Sequence, residues 1–207
     1  DEKADEYLVH RHEYEIFPLM KKRHLFAEVS NFNFFELHDE FGNINYNIFA
    51  FTNRMGGEKV LVIYNNAYQE CKGTINYSVP KLHTEDNASK HLQRTKLGDA
   101  LQLKYDNKIF YVCREHKTNL EHIFSGREIL DHGLFIYLQG YQYKLFLDFR
   151  EVYDTTGIYD KLYHWLQGRG VPSISDAVKE HALEPVSKVF NNLFSANTFN
   201  ELNSYCF

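Results

Sequence analysis

The chain has 207 residues, a net charge of −5, and a composition that is 43% apolar and 16% aromatic. This content of apolar residues is sufficient for a hydrophobic core and excludes a wholly disordered chain. Acidic and basic residues are mixed along the sequence, whereas a nucleic-acid-binding surface needs clustered basic side chains. We therefore expect no nucleic-acid partner.

Membrane and secreted classes are also excluded. No run approaches the ~18 consecutive apolar residues of a membrane-spanning helix, and the acidic N-terminus does not resemble a signal peptide. Cys71, Cys113 and Cys206 are odd in number and widely spaced, which predicts free thiols in a reducing compartment. We therefore expect a cytoplasmic protein without a membrane partner. Because the sequence begins with Asp1 and not with Met, we also expect either a processed product or a fragment of a longer polypeptide.

Residues 12–24 are predicted to form an N-terminal helix. Ile16, Phe17 and Met20 recur at roughly helical spacing, and acidic residues precede basic ones, as the helix dipole favours. Pro18 lies inside this segment and predicts a kink or a late first turn.

Two short strands are expected at 25–29 and 32–37, followed by an antiparallel meander over 47–79. The meander is indicated by two runs of β-branched and aromatic residues that flank the glycines of a hairpin connection (NIFAFTNRMGGEKVLVIYN). Alternation with a period of two predicts that one set of side chains points inward: Phe49, Phe51, Val60, Val62, Leu145 and Leu147.

Further strands are predicted in the second half of the chain. The polar region 80–99 opens with proline and indicates a surface loop. Strands 101–105 and 108–114 flank a two-residue hairpin signal, and strands 134–139 and 142–149 are joined tightly around a glycine. Each pair therefore predicts a hairpin.

Helices are expected in two places after the meander. Segment 118–131 is predicted to hold a helical turn capped by Ser125 or Thr118. After residue 151 the apolar residues recur at helical spacing, and this pattern predicts two or three helices.

About eight strands in succession, without helices between them, predict antiparallel pairing in a two-layer sandwich. The expected fold class is mainly β (α+β): an antiparallel β-sandwich with an N-terminal helix and a helical C-terminal tail. The corresponding division assigns 1–24 to the helix and linker, 25–150 to the β-sandwich domain and 151–207 to a helical extension packed on it.

Three segments together resemble the junction after the catalytic barrel of alpha-amylase-type glycoside hydrolases. In that family the last barrel helix carries a hydrophobic-x-Pro-hydrophobic-hydrophobic-basic pattern, which is followed by a strand and an Asn-ended hairpin. The sequence has IFPLMKKRHLFAEV, then NIFAFTNR and EKVLVIYNN, and GLFIYLQGYQYKLFLDF is similar to the closing strand pair of the family's C-terminal sandwich. The resemblance covers 13–79 and 133–149, whereas 80–132 is longer than the usual connections and the helices after 151 have no counterpart.

The resemblance implies a non-catalytic C-terminal accessory domain that packs on and stabilises the catalytic barrel of the same polypeptide. A barrel of this kind needs ~200–250 residues of alternating strand and helix. The catalytic Asp and Glu are therefore expected upstream, and none is assigned in this chain. A carbohydrate-binding module, with an alpha-glucan as partner, and an interaction domain unrelated to sugars are the alternatives.

Aromatic side chains are the candidates for sugar contacts, because exposed rings stack on the apolar faces of sugars. The candidate stacking residues are Trp165 on a predicted helix and Tyr137, Tyr141 and Tyr143 on one predicted hairpin. The 11 histidines lack the spacing of a helical zinc motif, so neither a metal site nor a cofactor is expected. Cys113 lies in an apolar strand run, where a buried inert thiol is the expected outcome.

Overall fold

A computed structural model describes residues 3–85 and 89–193. Within these ranges the strands are β1 (Asn33–His38), β2 (Ile48–Met55), β3 (Glu58–Asn65), β4 (Cys71–Ser78), β5 (Lys81–Glu85), β6 (Ser89–Gln93), β7 (Ile109–Glu115), β8 (Glu121–Ser125), β9 (Leu134–Leu138) and β10 (Tyr143–Tyr153). The α-helices are α1 (Glu6–Arg11), α2 (Phe17–Lys21), α3 (His24–Ala27), α4 (Leu97–Ala100), α5 (Gly126–His132), α6 (Ile158–Leu166) and α7 (Ile174–Leu193).

Eight of these strands form one sheet in the order β8-β7-β10-β3-β2-β1-β4-β9, with every neighbouring pair antiparallel. The remaining two, β5 and β6, form a separate hairpin. The sheet curls, so that strands from its two halves face each other across a common core. Its two edge strands, β8 and β9, are consecutive in the chain and are joined by α5 alone.

The expected fold class, mainly β (α+β) with antiparallel strands, an N-terminal helix and C-terminal helices, is confirmed. The two facing layers belong to one continuous curled sheet, whereas the expected sandwich would divide the strands between two sheets. The difference arises because β10 pairs with both β3 and β7 and thereby joins the two halves.

The face prediction for the meander is wrong. The interior of the curled sheet is filled by Ala50, Leu61, Ile63 and Phe146. Each of these is the immediate sequence neighbour of a residue that was predicted to point inward. The residues predicted to point inward lie on the outer face, where Val60, Leu145 and Leu147 pack beneath the N-terminal helices and Phe49 is 40% exposed. Both faces of this part of the sheet are covered, so both phases are apolar and the alternation alone does not identify the core.

The N-terminal segment is helical from Glu6 to Ala27 in several short pieces. A π-helical turn at His12–Ile16 precedes α2, and Pro18 occupies the first turn of α2. Proline has no N–H to donate to the carbonyl four residues earlier, which explains why the regular hydrogen-bond ladder is interrupted here. The predicted helix at 12–24 is therefore present, with its expected irregularity at Pro18. The strand expected at 25–29 is replaced by α3.

The C-terminal helices cover the outer face of β7 and β8. Leu162, Leu166 and Ile174 pack on Phe110 and Ile123 in a second apolar cluster.

Buried carboxylates anchor this layer. Asp154 accepts hydrogen bonds from the N–H groups of Thr156, Gly157, Ile158 and Asp160 at the start of α6. Glu121 of β8 accepts bonds from the Arg114 and Arg150 side chains and from the N–H of Ile174, each at 2.8 Å.

Two predicted hairpins are absent. β9 pairs with β4 and β10 pairs with β3 and β7, so the strands around Gly140 are not partners. Residues 101–105 form no strand, and β7 pairs instead with β8, a strand that the sequence pattern did not reveal. The helical turn expected in 118–131 is α5, and the Ser125 hydroxyl caps it by accepting the N–H of Glu128.

Among the described residues, no helix is long and apolar enough to span a membrane.

Candidate functional site

A cavity of about 480 Å³ lies where the curled sheet fails to close, between the edge strands β8 and β9. We call it the seam cavity. Its walls come from both edge strands, from α5, from the end of α6 and from the inward face of β10. The chain passes from one wall to the other through α5, so a single short helix sets the spacing of the two edges.

Apolar side chains form much of the seam cavity. Phe124 and Phe146 contact each other edge to face, with 5.5 Å between ring centroids, and belong to the core of the curled sheet. Ile136 and Leu134 contribute from β9 on the opposite side. These residues continue the hydrophobic core up to the opening, so the cavity has an apolar floor.

One lysine side chain reaches this apolar site. Lys144 lies on β10 opposite Ile63, two residues before Phe146, and is only partly exposed. It makes no hydrogen bond or ion pair with any residue in the described part of the chain. Glu115 is opposite Phe146 on β7, but its carboxylate accepts the Thr118 hydroxyl and does not line the seam cavity. The lysine charge is thus left without a carboxylate of its own.

His122 forms part of the wall on β8 and is buried. Its Nδ1 lies 3.1 Å from the carbonyl oxygen of Gly168. Because a carbonyl can only accept, Nδ1 carries the proton of the neutral ring and Nε2 keeps its lone pair. Nε2 has no hydrogen-bond partner in the described structure. A Cβ added at Gly170 would come 2.6 Å from Nε2, so the ring packs directly on this glycine. Burial lowers the pKa of His122 below 6.5.

A second polar group lies at the mouth of the seam cavity. The Tyr163 hydroxyl donates to Oε2 of Glu128 at 2.6 Å, and burial followed by this hydrogen bond raises the pKa of Tyr163 well above its usual range. The pair joins α6 to α5 across the cavity mouth. Glu128 keeps its negative charge in this hydrogen bond, but it forms no ion pair with Lys144 in the described part of the chain.

The four predicted stacking residues are not assembled into one platform. Trp165 lies on α6, is 55% exposed and has the Arg169 guanidinium 5.2 Å from its ring centroid. Tyr137 lies on β9 and donates to Glu70 at 2.6 Å, whereas Tyr141 follows β9 with a φ of +55°. Tyr143 is half-buried on the outer face of β10 beneath the N-terminal segment.

Trp165 also borders a groove of about 500 Å³ between α6 and α7, shared with Asp176, Glu180 and His181. The tyrosines do not line this groove, so any sugar contact at Trp165 would be separate from them.

The N-terminal helices carry a large exposed apolar surface, here called the N-terminal apolar surface. Leu19 and Leu25 dock the segment on the outer face of the sheet. Nine other large apolar side chains of the segment are at least 38% exposed: Tyr7, Leu8, Val9, Tyr14, Ile16, Phe17, Met20, Phe26 and Val29. Ile16, Phe17 and Met20, which recur at helical spacing in the predicted helix, are therefore not covered by the sheet.

Cysteine and metal chemistry find little support in the described ranges. Cys71 and Cys113 are buried free thiols, and Cys206 lies outside the described residues. Burial raises the pKa of Cys113 well above its usual value, which keeps this thiol protonated and unreactive. No cluster of three or more potential metal ligands occurs among the described residues.

Known proteins give no guide to this site. The chain matches no protein family, no curated protein and no solved structure.

The sequence pattern did not identify Lys144 as a functional residue. Lys144 is a charged residue on the inner face of a strand, which is unusual. This feature can be recognised only after the structure has shown which face of the strand points inward.

Proposed function

We propose that this chain is a non-catalytic accessory domain that packs, through the N-terminal apolar surface, on the catalytic barrel of an alpha-amylase-type glycoside hydrolase in the same polypeptide. The observation that carries the proposal is the exposure of Ile16, Phe17 and Met20, at 42%, 50% and 60%. A contiguous exposed apolar patch of this kind marks an interaction surface.

The helical segment has two apolar sides, of which one is buried and the other is exposed. One side is satisfied by the sheet, where Leu25 is 1% exposed and packs on Val60, Leu145 and Leu147. The other side faces solvent. In the resemblance, the segment IFPLMKK corresponds to the last helix of the barrel, and such a helix must cover both a barrel and the domain that follows. Two apolar sides are what this position requires.

The size of the surface is adequate for a stable contact. Full burial of a large apolar side chain contributes about 1.5–3 kcal/mol. Ile16, Phe17 and Met20 are 42%, 50% and 60% exposed, so covering them would contribute roughly half of that value for each, about 2–4 kcal/mol in total before the cost of ordering.

Hydrogen exchange on the purified chain, and on a longer polypeptide that includes the preceding coding sequence, tests the proposal. In the 207-residue chain, amides of residues 12–24 should exchange much faster than those of Val60–Tyr64, which lie inside the sheet. In the longer polypeptide they should become protected. Equal protection of both segments in a monomer of the short chain would count against the proposal, as would an upstream sequence without a barrel.

Phe17→Asp separates the barrel contact from folding of the domain. Phe17 is 50% exposed in this chain, so the variant should unfold here at nearly the wild-type midpoint and should weaken the longer polypeptide. Phe41→Asp is the matched control, because Phe41 is 82% exposed in a turn away from the helices. It should be silent in both polypeptides.

Carbohydrate binding at Trp165 is the second candidate, favoured by its 55% exposure beside the groove between α6 and α7. An alpha-glucan such as maltoheptaose should then bind, and Trp165→Ala should abolish binding while Tyr137→Ala leaves it unchanged. If the chain binds neither a barrel nor a glucan, the proposal becomes an interaction domain unrelated to sugars.

Two buried free thiols, Cys71 and Cys113, support the proposal of a reducing, cytoplasmic location.

A further inference from the structure

The seam cavity has the size and depth of a small-molecule site. Its volume of about 480 Å³ lies within the range that such sites occupy, ~300–1,000 Å³. It extends from the mouth beside Tyr163 to core residues such as Phe146. A ligand placed there would contact side chains whose positions are fixed by core packing, so the site is preorganised.

The polarity of the lining restricts the ligand. Phe124, Phe146 and Ile136 offer an apolar floor without hydrogen-bonding groups, which requires an apolar body. Lys144, which is only partly exposed, introduces one positive charge beside this floor and can form a charge-assisted hydrogen bond with an anion in the cavity.

No other ionisable group of the lining forms an ion pair with Lys144 among the described residues. Glu128 keeps its negative charge while it accepts the Tyr163 hydroxyl at 2.6 Å, but it does not contact the Lys144 ammonium. The remaining groups are the histidines His122, His132 and His164, which supply no negative charge. The ammonium of Lys144 is therefore available to an anion that enters the cavity.

We propose that the seam cavity binds a small amphipathic monoanion, with its carboxylate paired to Lys144 and its apolar body against Phe124, Phe146 and Ile136. The site is independent of the N-terminal apolar surface, because its walls are β8, β9, α5, α6 and β10. The ligand class is a monocarboxylate with a body of about eight carbons, which fits a cavity of this size.

The position of the site favours exchange with solvent. Within the described residues, both edge strands bordering the seam cavity lack a sheet neighbour on that side over most of their length, and α5 connects them. Lys144 lies on β10, where its backbone is paired with Ile63 of β3. A ligand that enters between the two edge strands would therefore meet the ammonium on a strand inside the sheet.

Octanoate and 1-octanol, titrated at pH 7.5 and followed by amide chemical shifts, test the proposal. Octanoate should shift the amides of Phe124 and Ile136 with a Kd at least ten-fold lower than that of 1-octanol. Shifts confined to Phe17 and Met20 would mean adsorption on the N-terminal apolar surface and would overturn the proposal. The same conclusion would follow from no shifts at millimolar octanoate, or from equal affinity for both compounds.

Lys144→Met retains the length of the side chain and removes its charge. It should weaken octanoate binding at least ten-fold and leave 1-octanol binding unchanged, whereas Lys144→Arg should keep octanoate binding within about three-fold of wild type. Lys72→Met is the control, because Lys72 is 64% exposed and pairs with Glu40 on the surface. Unchanged octanoate affinity in a folded Lys144→Met variant, judged by its dispersed amide spectrum, would overturn the assignment of Lys144. If Lys144→Met does not fold, weakened octanoate binding by Lys144→Arg beyond ten-fold would overturn it.

Discussion

Tyr143 of β10 donates a hydrogen bond from its hydroxyl to Oε2 of Glu15 in the N-terminal segment, over 3.1 Å. The same oxygen accepts the Nε–H of Arg11 at 3.2 Å, and the backbone carbonyl of Glu15 lies 2.7 Å from Nε2 of His116. Glu15 therefore connects the π-helical turn to β10 and to the turn that follows β7. Burial raises the pKa of Tyr143 to about 12, so its hydroxyl remains a donor throughout the neutral range.

Replacing Tyr143 by Phe should loosen the N-terminal segment. The loss of one hydrogen bond to a charged, partly buried acceptor should lower the free energy of unfolding by about 1–2 kcal/mol. Urea denaturation measures the change, and faster amide exchange in residues 12–24 would locate it. Tyr46→Phe is the control, because Tyr46 is 82% exposed and makes no hydrogen bond within the described residues. Equal behaviour of the two variants would show that the contact with Glu15 contributes nothing.

Stability should fall as the pH is lowered through the titration of His122. Burial depresses the pKa of this ring in the folded state, so the unfolded chain, with the ordinary value of 6.5, binds the proton more readily. The contribution of His122 is complete above pH 6.5 and is lost as the pH falls below it. Urea midpoints measured between pH 7.5 and 5.5 should decline in the wild type and decline less in His122→Gln.

His10→Gln provides the comparison for that experiment. His10 is exposed, its only ion-pair contact being with Glu13 at 3.9 Å among the described residues, so its removal should leave the pH dependence intact. An identical pH profile for wild type and His122→Gln would contradict the assignment to His122.

Glu121 should be among the most sensitive residues to substitution. Burial opposes its ionisation, but the hydrogen bonds from the Ile174 N–H and from Arg150, with the charge of Arg114, outweigh burial and lower its pKa. Glu121→Ala leaves these donors without their acceptor and should cost about 2–3 kcal/mol of stability. Thermal unfolding gives the comparison with Glu40→Ala, an exposed carboxylate that pairs with Lys72 at 3.6 Å. A loss no larger than that of the control would rule out a central role.

The purified 207-residue chain should hydrolyse neither starch, glycogen nor small glucosides. Glycoside hydrolysis requires two carboxyl groups on either side of the scissile bond, and the proposed function assigns no such pair to this chain. Reducing-sugar assays at high protein concentration provide the measurement. Activity that disappears on substitution of one Asp or Glu of this chain would refute the assignment of a non-catalytic role.

Local sequence signals were reliable where local contacts decide the structure. The hairpin of β2 and β3, the cap at Ser125 and the irregularity at Pro18 each depend on residues within a few positions of one another. The rest of the meander expected over 47–79 is wrong, because β4 pairs with β1 and β9 and not with β3. The hairpin expected around Gly140 is absent, because β9 pairs with β4 and β10 pairs with β3 and β7. These pairings join distant parts of the chain and have no local signature.

Much of the candidate site was invisible in the sequence for a related reason. β8 has five residues and all are buried, so its alternation between faces is hidden. Without β8 the open edge cannot be placed, and His122 is one histidine among 11. The prediction of the stacking residues depends only on their being aromatic. Their separation follows from pairings of β9 and β10 with strands far away in sequence.

The position of β10 between β3 and β7 bears on how the protein emerges from the ribosome. The four strands β1 to β4 are synthesised early and can pair at once, yet β3 keeps an unpaired edge until β10 has been made. Throughout that interval an unfinished strand edge is open to wrong partners, which is the condition under which nascent chains recruit chaperones or aggregate. Slowing translation before residue 143 would lengthen this exposure, whereas placing β10 ahead of β1 by circular permutation would remove it.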